Sequence, residues 1–185
     1  MKNKKSKTKK TLFRSVKGLC TAALLAALAV VISYICKSFT VTMSVRITFE
    51  NLPIILSGYI LGPFAGLVTG LCADIVSTAA TYGIGGINPV LTLGAGFVGF
   101  AAGIVSHHII IKNGIFKIFA TVYSSHITGN MIIKTVGLYL YYRTPPVEII
   151  ARILVYIGIA AAEGAILSVM LKSKGIKNAI GGLRS

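Results

Sequence analysis

The chain has only four acidic residues, Glu50, Asp74, Glu148 and Glu163. Asp74 and Glu163 stand inside apolar runs, and so do Lys134 and Arg152. Charge placed in such surroundings is costly, so it marks a ligand or ion site, a proton relay or a buried pair. His126, Asn130 and Lys134 follow one another at i, i+4 and i+8, which puts them on one polar stripe of a helix. Arg152, Tyr156 and Glu163 share a face of another, since eleven residues is close to three turns. With a rise of about 1.5 Å per residue, His126 and Glu163 each lie about 12 Å from the same end of their helices and can pair. Lys134 and Arg152 come out at about 24 and 28 Å, two cations with no acidic partner at their depth on these two helices. Snorkelling to an interface is the structural reading of the two cations. A pocket for an anionic or polar ligand is the functional one. Asp74 falls near the middle of its own segment, where it either accepts from a ligand or pairs with a neighbouring helix.

Other chemistry is thinly represented. There is no phosphate-cradling loop, no nucleophile elbow and no zinc-protease motif. His107 and His108 are adjacent, point to different helix faces and cannot chelate one metal together. Cys20, Cys36 and Cys72 are odd in number, scattered and set in apolar runs, as small buried hydrophobes are. No metal site, cofactor or catalytic group is expected, and the chain does not read as an enzyme. An acid–base pair of His126 and Glu163 in a membrane enzyme would lack a second catalytic cluster. A proton-coupled carrier using Asp74 and Glu163 would need an inverted repeat, and the sequence shows none. Without a nucleotide-binding loop, uphill movement of a solute would draw on an ion gradient or a partner.

The elements that must hold these residues are apolar. Hydrophobic residues make up 55% of the 185 residues and charged ones 12%, about half the charged share of a soluble domain. Such a chain cannot cover a soluble surface and reads as an all-α integral membrane protein. Six segments can be drawn, at about 12–36, 52–62, 63–80, 89–111, 116–141 and 147–171. Gly62-Pro63 divides the second from the third. The second is too short to cross a ~30 Å hydrocarbon core and needs support from neighbours. Of 19 basic residues, eight lie in residues 1–17 and four in 172–185. Basic tails flanking apolar segments follow the positive-inside pattern and do not suggest nucleic-acid binding. An even number of spans then leaves both termini cytoplasmic. The expected organisation is a basic tail over 1–13, a six-helix transmembrane bundle over 14–172 and a second basic tail over 173–185.

Two further features are legible. Between the first two segments, Phe39, Val41, Met43, Val45, Ile47 and Phe49 alternate with polar residues, a period of two that predicts an extended lid over an outward pocket. Arg46 and Phe49 belong to it and join Asp74, Asn88, His126, Asn130, Lys134, Arg152 and Tyr156 as candidate ligand-binding residues. Asn88 starts the fourth segment beside the third loop. On the first segment, Ala22/Ala26 and Ala23/Ala27 form two small-xxx-small pairs, suited to packing inside the bundle or to docking a partner helix.

The stretch VRITFENLPIILSGYILGPFAGLVTGLCAD, Val45–Asp74, together with INPVLTLGAGFVG, Ile87–Gly99, and the P-P-x-E-x-x-x-R run Pro145–Arg152 with Glu163 eleven residues on, resembles the substrate-binding (S) components of energy-coupling factor vitamin transporters, most closely the folate-type family. The resemblance implies a six-helix bundle that binds folate or a related vitamin near its outer face. It implies as partners a transmembrane coupling protein and two cytoplasmic ATPases. It also implies that the alanine face of the first helix, Ala22, Ala23, Ala26 and Ala27, meets the coupling protein.

Overall fold

A computed structural model describes residues 15–37, 48–109, 113–176 and 178. The described residues are helical apart from short connections. They form α1 (Val16–Lys37), α2 (Asn51–Leu61), α3 (Pro63–Tyr82), α4 (Pro89–His108), α5 (Gly114–Ser125), α6 (Thr135–Tyr142) and α7 (Pro146–Lys172). Residues His126–Lys134 are π-helical and join α5 to α6 in a single rod over 114–142. Four helices, α1, α3, α4 and α7, are long and apolar enough to cross a membrane.

The breaks come from local chemistry. Gly62, at φ 107° and ψ 176°, ends α2 and precedes Pro63 at the start of α3, because proline lacks the amide proton that a continuous helix would need there. A short 3-10 turn, Ile84–Gly86, leads to Asn88. The Asn88 side chain accepts hydrogen bonds from the amides of Val90 (3.0 Å) and Leu91 (3.5 Å), so it caps α4. Arg143 turns the chain in a left-handed conformation after α6, and Pro146 opens α7 from an extended Pro145. Glu148 lies in the first turn of α7, where an acidic side chain favours the helix dipole.

Helix α4 is the hub, packed on α2 and α3 on one side and on α5 and the π-helical segment on the other. Helix α1 packs on α2 and α3, and α7 on α5 and the π-helical segment. The contact between α3 and α4 depends on the absence of side chains. A Cβ on Gly99 would collide with the backbone of Gly66, and one on Gly66 with the carbonyl oxygen of Gly99. Ser57 and Thr69 share a hydrogen bond of 2.8 Å that ties α2 to α3 in the interior. The outside of the bundle is apolar: Leu24, Val31, Phe64, Ile150 and Val169 are each more than half exposed. In water this would be an aggregation surface, but against lipid it carries no such penalty.

The alternating lid segment lies almost wholly outside the described residues, and Arg46 with it. On α1 the four alanines differ in exposure. Ala22, 6% exposed, faces the bundle, while Ala23 and Ala27 are exposed and Ala26 lies between.

Replacing Gly99 with alanine should lower stability by about 1–3 kcal/mol, as overpacking does. Gly158→Ala meets open space and should be neutral or slightly stabilising, because alanine favours helix. Thermal unfolding of the two purified variants in detergent compares them. Equal melting temperatures would mean that α3 and α4 can separate without cost.

Candidate functional site

At the end of the bundle where α3 and α6 finish and α4 and α7 begin there is a cavity of about 560 Å³. Ligand pockets for small molecules fall in this range, roughly 300–1,000 Å³. Its walls come from α3 (Asp74, Thr78, Tyr82), from the start of α4 (Asn88, Leu91), from the rod (Lys134, Leu138, Tyr142) and from the entry to α7 (Thr144, Glu148, Arg152, Tyr156). Five residues proposed from sequence spacing therefore line one space: Asp74, Asn88, Lys134, Arg152 and Tyr156.

Each is held in place. Asp74 Oδ2 accepts a hydrogen bond of 2.8 Å from Thr92 Oγ1 on α4. Asn88 is 9% exposed, and its Oδ1 is committed to capping α4. Lys134, 6% exposed, threads past Gly94, whose missing Cβ leaves room for the lysine stem. Its Nζ lies 4.0 Å from Glu50 Oε1. The Arg152 guanidinium sits 4.8 Å from the centroid of the Tyr156 ring, one turn along α7, an attractive geometry for a cation over an aromatic face. The Tyr156 ring in turn tilts against His126 at 5.8 Å.

His126 and Asn130 are not among the residues lining the cavity. Both are fully buried; both ring nitrogens of His126 and the amide nitrogen of Asn130 are paired, while Asn130 Oδ1 meets no described partner. His126 Nε2 lies 2.7 Å from Glu163 Oε2, and Asn130 Nδ2 lies 3.0 Å from His126 Nδ1. With Asn130 donating to Nδ1, that nitrogen carries the lone pair, so Nε2 carries the proton and donates it to Glu163. Equal depth on neighbouring helices predicted this pairing, and the structure makes it. Phe49 precedes α2, is half-buried and is absent from the cavity wall.

The expected surplus of positive charge is corrected. Glu148 stands four residues before Arg152 on the same helix and shares the cavity with it, and Glu50 reaches Lys134 from the approach to α2. Sequence reasoning quoted Glu148 within the Pro145–Arg152 run but did not weigh it as a partner; its i, i+4 spacing from Arg152 was the available signal. Tyr82 and Tyr142 were missed too. They are aromatic residues at helix ends, where nothing in the spacing separates them from residues facing lipid.

Residues 17–182 match the family described as ECF transporter, substrate-specific component. The chain belongs to this family. As a substrate-specific component it is a membrane protein of a transport system, and its family is not one of enzymes. No curated protein sequence matches the chain. Among solved structures, a crystal structure of FolT bound with folic acid aligns with a TM-score of 0.66 over 82% of this chain and 90% of that one, at 20% identity. That likeness shows a shared fold. In this substrate-specific component the His126–Asn130–Glu163 cluster lies behind Tyr156, which carries contact from His126 to Arg152 in the cavity wall.

Removing one partner from a buried pair leaves the other without compensation, at a cost of about 3–5 kcal/mol. Glu163→Leu should therefore lower the melting temperature of the detergent-solubilised protein by several degrees, and Glu163→Gln by less, since an amide oxygen can still accept from Nε2–H. If both variants melt with the wild type, the cluster does not stabilise the bundle.

Proposed function

We propose that this substrate-specific component captures a folate-type vitamin in the 560 Å³ cavity and releases it inward when driven by a transmembrane coupling protein and two cytoplasmic ATPase subunits. The observation that carries the reading is the composition of the cavity wall. Tyr82, Tyr142 and Tyr156 offer faces to a flat heteroaromatic ring, Asp74 and Asn88 offer polar edges, and Lys134 and Arg152 can meet carboxylates. A folate has a flat donor–acceptor ring at one end and a dicarboxylate at the other. The FolT structure with folic acid, which shares the fold, supports the same ligand class. Glu148 and Asp74 offset the two cations, and that balance favours a second reading, another small heteroaromatic vitamin or precursor with fewer negative charges.

The helix directions support one orientation in the membrane. Helices α1, α2, α3, α4, the 114–142 rod and α7 form six spans, with α2 the short one at about 16 Å. The cavity lies at the end opposite the start of α1 and the end of α7, the helix ends to which the two basic stretches are joined in sequence. Basic tails stay in the cytoplasm, so the cavity faces outward, and α2 begins on that same side. The protein resides in the cell membrane and needs no bound cofactor.

Arg152 presents a planar fork held over Tyr156, suited to a bidentate grip on a carboxylate. Losing a charged hydrogen bond costs roughly 1.5–3 kcal/mol, so Arg152→Ala should weaken folic acid binding about ten- to a hundredfold in isothermal titration. Pteroate, which lacks the glutamate, should bind less well and lose less on the same substitution. Equal losses for both ligands would mean that Arg152 holds the ring or the fold, and undetectable folic acid binding by the wild type would favour the second reading.

Energy coupling is tested separately. The exposed Ala23 and Ala27 on α1 form the surface offered to the coupling protein, because small residues let helices approach closely. Ala23→Phe with Ala27→Phe should leave folic acid binding intact and reduce ATP-driven uptake in vesicles carrying the partner subunits by about tenfold or more. Unchanged uptake would remove that face from the docking surface.

A further inference from the structure

Lys134 differs from the other buried polar residues of the cavity wall. It is 6% exposed, yet its ammonium donates no hydrogen bond to any described residue. Glu50 Oε1 stands 4.0 Å from Nζ, beyond hydrogen-bond reach. An ammonium carries three N–H donors. Burying it with none of them used is costly unless an acceptor arrives. The side chain lines the 560 Å³ cavity, so an acceptor bound there can meet it. A carboxylate would do so through charge-assisted hydrogen bonds.

The way to that position runs over bare backbone. Lys134 closes the π-helical segment, which packs on α4. A Cβ on Gly94 of α4 would come within 2.5 Å of Lys134 Cγ, 3.0 Å of the Gly129 carbonyl oxygen and 3.4 Å of the Lys134 backbone nitrogen. Cγ is the second atom of the lysine side chain, and its place is set by χ1 alone. It cannot swing aside as a terminal atom does. Moving it means another staggered well, about 120° away, which sends the whole stem in another direction. The missing side chain at position 94 therefore selects the rotamer that brings the ammonium to the cavity. Gly94 is not itself among the lining residues, so whatever it does to a ligand it does through the lysine.

We propose that Gly94 is a positioning residue for ligand capture: it gives the Lys134 stem its passage, and the ammonium so delivered anchors one carboxylate of the ligand. Arg152, on the facing helix α7, is left for the second carboxylate. The owner of those carboxylates rests on the folate reading. The control of Lys134 by Gly94 does not.

The test places Gly94→Ala in three backgrounds of the full chain: Lys134, Lys134→Met and Lys134→Ala. Methionine keeps Cγ and loses the charge, whereas alanine loses both. Without ligand, in detergent, Gly94→Ala should lower the melting temperature by about 4 °C with lysine or methionine at position 134, and by less than half of that with alanine. A Gly94→Ala chain that folds only in the Lys134→Ala background would show the same dependence. An equal penalty in all three backgrounds would overturn the proposal. In isothermal titration, Gly94→Ala should weaken folic acid binding about ten- to a hundredfold and pteroate binding less than about threefold. Lys134→Met should weaken folic acid binding as much, with Gly94→Ala adding less than about twofold to it. Unchanged folic acid affinity in folded Gly94→Ala, or equal losses for both ligands, would overturn the proposal, because a fault in the fold spares neither ligand. If the wild type binds no folic acid the vitamin reading falls, and the melting comparison alone decides whether Gly94 places Lys134.

Discussion

The contact of bare backbone between Gly66 and Gly99 sets the spacing of everything around it. Helix α4 is the hub of the bundle, and it can be one only because α3 approaches it without intervening side chains. In lipid there is little hydrophobic drive to bring helices together, so close packing and interior hydrogen bonds must hold them. The Ser57–Thr69 hydrogen bond on one side of the contact and the Asp74–Thr92 bond on another are of that kind. The second of these joins the same two helices at the level of the ligand cavity. The spacing of α3 from α4 therefore also fixes where the Asp74 carboxylate stands.

The polar residues of the bundle divide between two tasks. His126, Asn130 and Glu163 hydrogen-bond one another at full burial, with both imidazole nitrogens engaged. Lys134, Arg152, Glu148 and Asp74 line the cavity. Tyr156 belongs with both groups, since it touches the imidazole of one and the guanidinium of the other. An arginine side chain has many rotamers, and one stacked over a ring that is itself braced has few. A pocket that holds its charged groups in place before the ligand arrives loses less entropy on binding.

Most of this arrangement could be read from the sequence because a membrane simplifies the problem. Apolar runs mark the helices, and Gly62-Pro63 and Pro145-Pro146 mark their ends within a residue or two. A rise per residue then converts position into depth, which is how His126 and Glu163 could be paired across a sequence separation of 37. Depth along a helix does not give rotation about it. This is why Ala22 could not be told from Ala23, and why His126 and Asn130 could not be told from cavity-lining residues. The counterions were harder still. Glu50 acts from a segment whose path the spacing does not constrain, and Glu148 sits at the margin between loop and helix, where boundaries are least certain.

The π-helical turn between His126 and Lys134 has a consequence for how such a site can arise. A π-bulge fits one extra residue into a helical rod and so rotates everything beyond it relative to what lies before. Here the rod enters the bundle as α5, with Val122 and Ser125 turned inward, and emerges as α6 with Gly137 against α4 and Leu138 and Tyr142 in the cavity wall. A single codon gained or lost within this stretch would re-aim the upper half of the rod while leaving its lower half seated. The geometry of the binding wall can thus be changed by the smallest in-frame insertion or deletion, without disturbing the glycine seam that assembles the bundle.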